Sequence, residues 1–233
     1  MTIKDSFYRA IKRSDIPGAM TRYGEARSSA LVDKYMTSAL ISICSRNKKH
    51  SLVQRLWKSH RTGVGATPLT EYLCSDFING FRRLGDLDAA TYVLNTARDS
   101  RLINTEVYNA YLTSCAKLQP PSKVIPELES LLSQMDADGV APDSFTHAIM
   151  VGAYGNNGDF AAAQAYVARS GATEDLVISN ALMRAAVRDD NAQLALSILE
   201  LLEEDGPVFH RMPTHAAAAA AHHATVPNRC RCQ

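Results

Sequence analysis

The sequence predicts an all-α fold, an α-solenoid of stacked helix–turn–helix units, and three observations carry that prediction. One is a stretch at residues 134–163, QMDADGVAPDSFTHAIMVGAYGNNGDFAAA, that holds a unit with both junctions legible. A helix ends near Met135, and Gly139 suits the left-handed position that follows a helix. Pro142 cannot continue it, and Asp143 or Ser144 can cap the helix that opens near Phe145. Gly158 and Asp159 repeat this stop and restart before a helix at Phe160. The second observation is recurrence. Tyr108-Asn109-Ala110-Tyr111-Leu112, Thr146-His147-Ala148-Ile149-Met150 and Ser179-Asn180-Ala181-Leu182-Met183 are versions of one helix opening. Leu84-Gly85-Asp86-Leu87-Asp88-Ala89-Ala90 echoes Asn157-Gly158-Asp159-Phe160-Ala161-Ala162-Ala163, with looser copies at Asp189 and Ser14. The third is composition: 46% apolar residues can bury a core, while 12 Gly and one Trp leave little for a β-rich fold.

Aligning the copies divides residues 1–224 into units of about 1–32, 33–70, 71–104, 105–143, 144–175 and 176–210, then a partial unit at 211–224. Two helices per unit at this period are the pattern of a stacked helical array. In the first unit Phe7, Ile11, Ile16, Ala19, Met20 and Tyr23 fall at helical spacing. Asp5 and Asp15 mark residues 1–13 as structural, so a targeting segment is not evident there. The second unit places helices over about Met36–Cys44 and Leu52–Ser59, and Gly63, Gly65 and Pro68 then break the chain. In the third, Phe77, Ile78 and Phe81 face Leu87, Ala90, Val93 and Leu94. The small Ala90, with Ala163 and Ala195 at equivalent places, marks where paired helices cross. The fourth unit is about four residues longer; Pro120 and Pro121 are expected in its turn and Pro126 in a first helical turn. The fifth is Ala-rich, the sixth carries Leu194, Leu196, Leu199 and Leu202, and residues 225–233 read as an irregular tail.

Several function classes find no support. No run of 18 apolar residues provides a membrane span. No Gly-rich phosphate loop, H-E-x-x-H or G-x-S-x-G is present, and the carboxylate neighbours Asp189-Asp190 and Glu203-Glu204-Asp205 point apart on a helix. Cys44, Cys74 and Cys115 read as reduced core thiols. Cys230-Arg231-Cys232, without a second C-x-x-C, does not match a closed zinc site. No enzyme activity, cofactor, metal or small-molecule substrate is expected.

The net charge of +1 conceals an asymmetry. Residues 1–68 carry 13 Lys+Arg against 4 Asp+Glu, whereas units 105–210 carry 5 against 15. Arg9, Lys12 and Arg13 in the first unit, and Arg46, Lys48, Lys49 and Arg55 around the turn of the second, are the candidates for an RNA backbone.

Val-Tyr-Asn-Ala-Tyr-Leu at 107–112 and Met-Asp-Ala-Asp-Gly-Val-Ala-Pro-Asp at 135–143 resemble the pentatricopeptide repeat, whose unit opens on Tyr-Asn and closes on Met…Gly…Pro-Asp. The resemblance covers most of the chain and is strongest over 105–143. It implies single-stranded RNA binding, one base per repeat, read by a polar residue early in the first helix and the last residue of the unit. Carried over, the pairs are Thr37 with Thr70, Ser75 with Asn104, Asn109 with Asp143, Ala148 with Asp175, and Asn180 with His210. By the same resemblance Ser75/Asn104 suits adenine and Asn109/Asp143 suits uracil, whereas the other three are not usual pairs. N-capping is the competing role for Asn109, Asp143 and Asn180.

The acidity of units 105–210 opposes a phosphate backbone there. The expected function is therefore that of a structural or assembly component of an organellar ribonucleoprotein such as a mitochondrial ribosome, in the mitochondrial matrix. Basic N-terminal units would contact RNA and acidic units other proteins. The alternative is a stand-alone single-stranded RNA binder acting on organellar transcripts.

Overall fold

A computed structural model describes residues 2–62, 68–171, 176–188 and 195–196. Among them lie eleven α-helices and no strand. The chain divides into two compact units, Met1–Pro142 and Asp143–Gln233.

In the first unit the helices come in pairs: α1 (Ile3–Lys12) with α2 (Ile16–Ser28), α3 (Lys34–Arg46) with α4 (His50–Arg61), α5 (Glu71–Leu84) with α6 (Leu87–Asp99), and α7 (Thr105–Leu118) with α8 (Pro121–Ala137). First helices stack on one another, α1 on α3, α3 on α5 and α5 on α7. Second helices form the other layer; α2, α4 and α6 each pack against their own partner and against the next first helix. Each hairpin is too small to hide its apolar stripe alone, and the next one covers it. Phe7, Met36, Leu40, Leu73, Phe77, Tyr108 and Leu112 are thereby fully buried. The second unit holds α9 (Ser144–Asn156), α10 (Phe160–Ser170) and α11 (Leu176–Arg188), with α10 against both α9 and α11 and α9 against α11. The expected second helix of the sixth unit, apart from residues 195–196, lies outside the described residues, as do the partial unit and the tail.

Short polar side chains start these helices. Thr2, Asp15, Asp33, Thr70, Asp86, Asn104, Asp143 and Asp159 each accept a hydrogen bond from the amide three residues on. Lys49 holds the place before α4 that Asp15, Asp86 and Asp159 hold before α2, α6 and α10, and it makes no side-chain cap. Several helix ends close by one device. At Gly139 (φ +70°) the amides of Gly139 and Val140 return to the carbonyls of Asp136 and Met135. The same closure is made at Arg101 (φ +57°), whose amide and that of Leu102 return to Arg98 and Ala97.

The proline-rich connection differs from expectation. Pro120 caps α8 but Pro121 is its first residue, and Pro126 lies inside the helix rather than in its first turn. Pro121 needs no acceptor for a missing N–H at that position. Starting the helix there moves Pro126 to the second turn, where one backbone bond is forgone.

Of the residues expected at helix crossings, Ala90 and Ala163 are fully buried and Ala195 is buried. A close approach in the second unit was not foreseen. A Cβ on the buried Gly155 of α9 would lie 2.4 Å from the Cβ and 2.8 Å from the Cα of Ala185 on α11. Gly155→Ala is expected to destabilise by about 1–3 kcal/mol through overpacking. Gly152→Ala, with nothing within 4 Å of the added Cβ, should be neutral or mildly stabilising. Denaturant melts of the two variants check this; equal stabilities would contradict the close approach.

Candidate nucleic-acid interface

Counting from each capping residue aligns the first helices. Two positions after the caps Asp33, Thr70 and Asn104 stand Tyr35, Tyr72 and Glu106; five after stand Ser38, Ser75 and Asn109; thirteen after stand Arg46, Arg83 and Lys117. Positions two and thirteen differ by eleven residues, about three turns or 16 Å, and so lie on one helix face. Position five is turned from them by about 60°. Because α3, α5 and α7 stack side by side, these become three rows across the first-helix layer of Met1–Pro142.

The first row is largely aromatic. Tyr35 is 58% exposed, and its ring lies 6.4 Å from that of Tyr72 at 66°. Lys34 Nζ sits 5.2 Å from both ring centroids. The second row is polar and already hydrogen-bonded. Ser38 Oγ donates to Asp76 Oδ2 at 2.5 Å, and Ser75 Oγ lies 3.1 Å from Glu106 Oε1. Burial raises the Asp76 carboxyl above the usual carboxylate range; Ser38 opposes the rise and nearby Glu106 adds to it. Asp76 thus gives up its charge more readily than an exposed aspartate. The third row is cationic. Arg46 and Lys117 are exposed and Arg83 half-buried, all in last helical turns, where a cation also faces the negative end of the helix dipole. Side chains on a helix lean toward its N-terminus, so these cations reach back toward the polar row.

The residues singled out from the sequence separate on this frame. Ser75, Asn109 and Arg46 join the rows by register, Ser75 and Asn109 being buried and Arg46 exposed. Thr37 does not: it is fully buried, with its Oγ1 2.9 Å from the Tyr23 hydroxyl, and Ser38 holds the place equivalent to Ser75. Thr70, Asn104 and Asp143 are helix caps, bonded to the amides of Leu73, Val107 and Thr146 at 3.3, 3.0 and 2.8 Å. Lys48 donates from Nζ to the Arg83 carbonyl at 2.5 Å, and His50 Nε2 lies 2.5 Å from Asp86 Oδ2, so this basic turn ties one hairpin to the next. Lys49 is exposed at the uncapped start of α4, and Arg55 is exposed on α4 in the second-helix layer. Arg9 and Lys12 are exposed on α1, and Arg13 is exposed at its C-cap. In the second unit Phe145 is 56% exposed and Asn180 is half-buried on α11, while Asp175 and His210 lie outside the described residues.

Tyr35, Tyr72, Ser38, Arg83 and Lys117 were missed by sequence reasoning. The signal available was a fixed offset from each cap, not local charge density. Cys44, Cys74 and Cys115 are buried in first helices, where burial pushes the thiols up to about 11, 12 and 12. No helix among the described residues is long and apolar enough to cross a membrane.

No family model and no curated protein matches the sequence. Solved structures do match. The crystal structure of the pentatricopeptide repeat protein PPR10 from maize superposes with a TM-score of 0.62 at 18% identity, over 89% of this chain and 29% of that one. PPR10 in complex with an 18-nt psaJ RNA element gives 0.65 at 20% identity, over 87% and 30%. The chain thus spans under a third of the length of the proteins it resembles. Paired helices, capped at fixed intervals and stacked through their first members, give this chain a fold of the pentatricopeptide-repeat type.

Proposed function

We propose that the chain is a non-enzymatic binder of single-stranded RNA, which it holds along the first helices of Met1–Pro142. The observation that carries this reading is the register of three rows on α3, α5 and α7: stacking rings, hydrogen-bonding side chains and cations. Bases have π-faces for the rings and polar edges for the middle row, and phosphates suit the cations. Residues 1–142 carry 19 Lys+Arg against 14 Asp+Glu, a net positive charge that favours this end of the chain for a polyanion. The structural likeness to a protein solved with RNA agrees with it.

A place in a mitochondrial ribonucleoprotein particle, such as the ribosome, is the finer form of the proposal. Its support is the excess of acidic residues over 105–210, which suits protein neighbours better than a phosphate backbone.

The test is binding of the full chain to a labelled single-stranded 12-mer, set beside a duplex of the same sequence, over a salt titration. Single-strand preference is expected, with affinity falling as salt rises. Absence of salt-sensitive binding would overturn RNA holding by the isolated chain. Co-purification with ribosomal RNA and ribosomal proteins, rather than with one transcript, would favour the particle.

A further inference from the structure

Arg9 lies on α1 and Arg13, four residues on, is its C-cap; the Arg13 amide returns to the Arg9 carbonyl at 3.1 Å, which keeps the two residues on one side. Both are exposed, and neither side chain makes a hydrogen bond or ion pair with any described residue. Lys4 and Tyr8 occupy a different face, where Lys4 meets Asp33 before α3 at 2.7 Å. Beside Arg9 and Arg13, α2 contributes Gly18 and Arg22. Between the two helices is a cavity of about 270 Å³ lined by Ser6, Arg9, Arg13, Asp15, Gly18 and Arg22. Three guanidinium groups meet Asp15 in the lining; Glu25 stands beside Arg22 and Asp5 is near enough to Arg9 to feel its charge, so the excess positive charge rests on Arg9 and Arg13. Arg22 is partly engaged, with Nη1 2.8 Å from both oxygens of Glu25. The larger cavity beside Arg98 differs, because that arginine is already paired with Asp138.

The carboxylate has its own part. Asp15 Oδ1 accepts the Gly18 amide at 2.9 Å, while Oδ2 makes no hydrogen bond. Oδ2 occupies the space a side chain at position 18 would fill, for a Cβ there would lie 2.1 Å away. Glycine therefore leaves an open acceptor among three cations. Guanidinium groups suit a phosphate, and a free carboxylate oxygen suits a hydroxyl on an adjoining sugar. A phosphate monoester carries close to two negative charges at neutral pH, against one on an internal phosphodiester, and matches this charge better.

We propose that the α1–α2 cavity takes the phosphate monoester end of an RNA strand, Arg9 and Arg13 holding the phosphate and Asp15 Oδ2 accepting from a ribose hydroxyl. The proposal rests on the RNA-binding reading for its source of ligand, but uses side chains outside the three rows. The experiment compares internally labelled single-stranded 12-mers carrying a 5′-phosphate, a 3′-phosphate or hydroxyls at both ends, with adenosine monophosphate as a free competitor. One phosphorylated end should bind about tenfold tighter than the hydroxyl-ended strand. The advantage should fade below about pH 6, where the monoester takes up its second proton. Arg9→Gln with Arg13→Gln should erase it, so that phosphorylated and hydroxyl-ended strands bind the variant equally. Equal affinity for all three strands, with binding retained, overturns the cavity and leaves the rows standing. If no strand binds, the row reading fails instead. The cavity is then judged by adenosine monophosphate: Arg9- and Arg13-dependent binding supports it with free nucleotide as the source, and no binding overturns it.

Discussion

Replacing Arg46, Arg83 and Lys117 together by glutamine is expected to weaken single-stranded RNA binding by about 30–100-fold near 0.1 M salt, with the fold intact. Each cation released from a phosphate contact changes the slope of log affinity against log salt by about 0.7, so three should make it less negative by about 2. Glutamine keeps much of the aliphatic stem, which limits lost packing. Arg55→Gln, in the second-helix layer, is the control and should change neither quantity. Tyr35→Ala with Tyr72→Ala gives the complementary arm: stacking is worth about 1–3 kcal/mol per base, and its loss should leave the salt slope unchanged. Fluorescence anisotropy across a salt series reads both, with circular dichroism as the check on folding. Unchanged affinity and slope in the triple variant would remove the cation row from the interface.

Asp138→Asn should destabilise the first unit by about 1–2 kcal/mol. The carboxylate at the end of α8 receives Arg98 Nε at 2.7 Å and Nη2 at 2.8 Å from α6, and the Tyr108 hydroxyl at 2.5 Å from α7. One anion therefore joins three helices of two successive hairpins. Arg98 and Tyr108 hold its pKa down to about 2, against an ordinary 3.8. The folded-state pKa is lowered, so the contribution is complete above about pH 4 and is lost as pH falls from 3.8 through about 2. By linkage, and reduced by solvent screening of a partly exposed pair, that loss amounts to about 1 kcal/mol. Urea denaturation of wild type and variant at pH 7 and from pH 5 to 2.5 tests this: the difference should be largest at neutral pH and shrink in acid. A gap that stays constant to pH 2.5 would rule out the carboxylate charge as its cause.

What the sequence disclosed follows the strength of local chemistry. Gly139, Pro142 and Asp143 each do one thing the backbone needs at a junction, so the unit around them was legible residue by residue. Asp33 was harder, because Leu31 and Val32 precede it and no Tyr-Asn opening follows. Counting it as the first residue of its unit rather than the cap moved the polar position from Ser38 to Thr37. The helix period turns a slip of one residue through about 100°, which here separates a half-buried hydroxyl of the middle row from a core one. The cation row escaped for a different reason. Its members stand 37 and 34 residues apart and look like ordinary helix-end charges, whereas Lys48 and Lys49 stand together and draw attention. Density marked a turn where Lys48 meets the end of α5; periodicity marked the row.

The hydroxyls of the middle row carry a consequence for how a ligand would load. Ser38 is held by a carboxylate on α5, and Ser75 approaches one on α7. A base acceptor that claims the proton of either hydroxyl must evict an acid belonging to the next hairpin along. Occupancy at one step then frees a negative group beside its neighbour and alters how readily that neighbour fills. Successive nucleotides would not register as independent events; each vacancy would be conditioned by the one before it, making recognition a directional zipper in which context counts as much as letter.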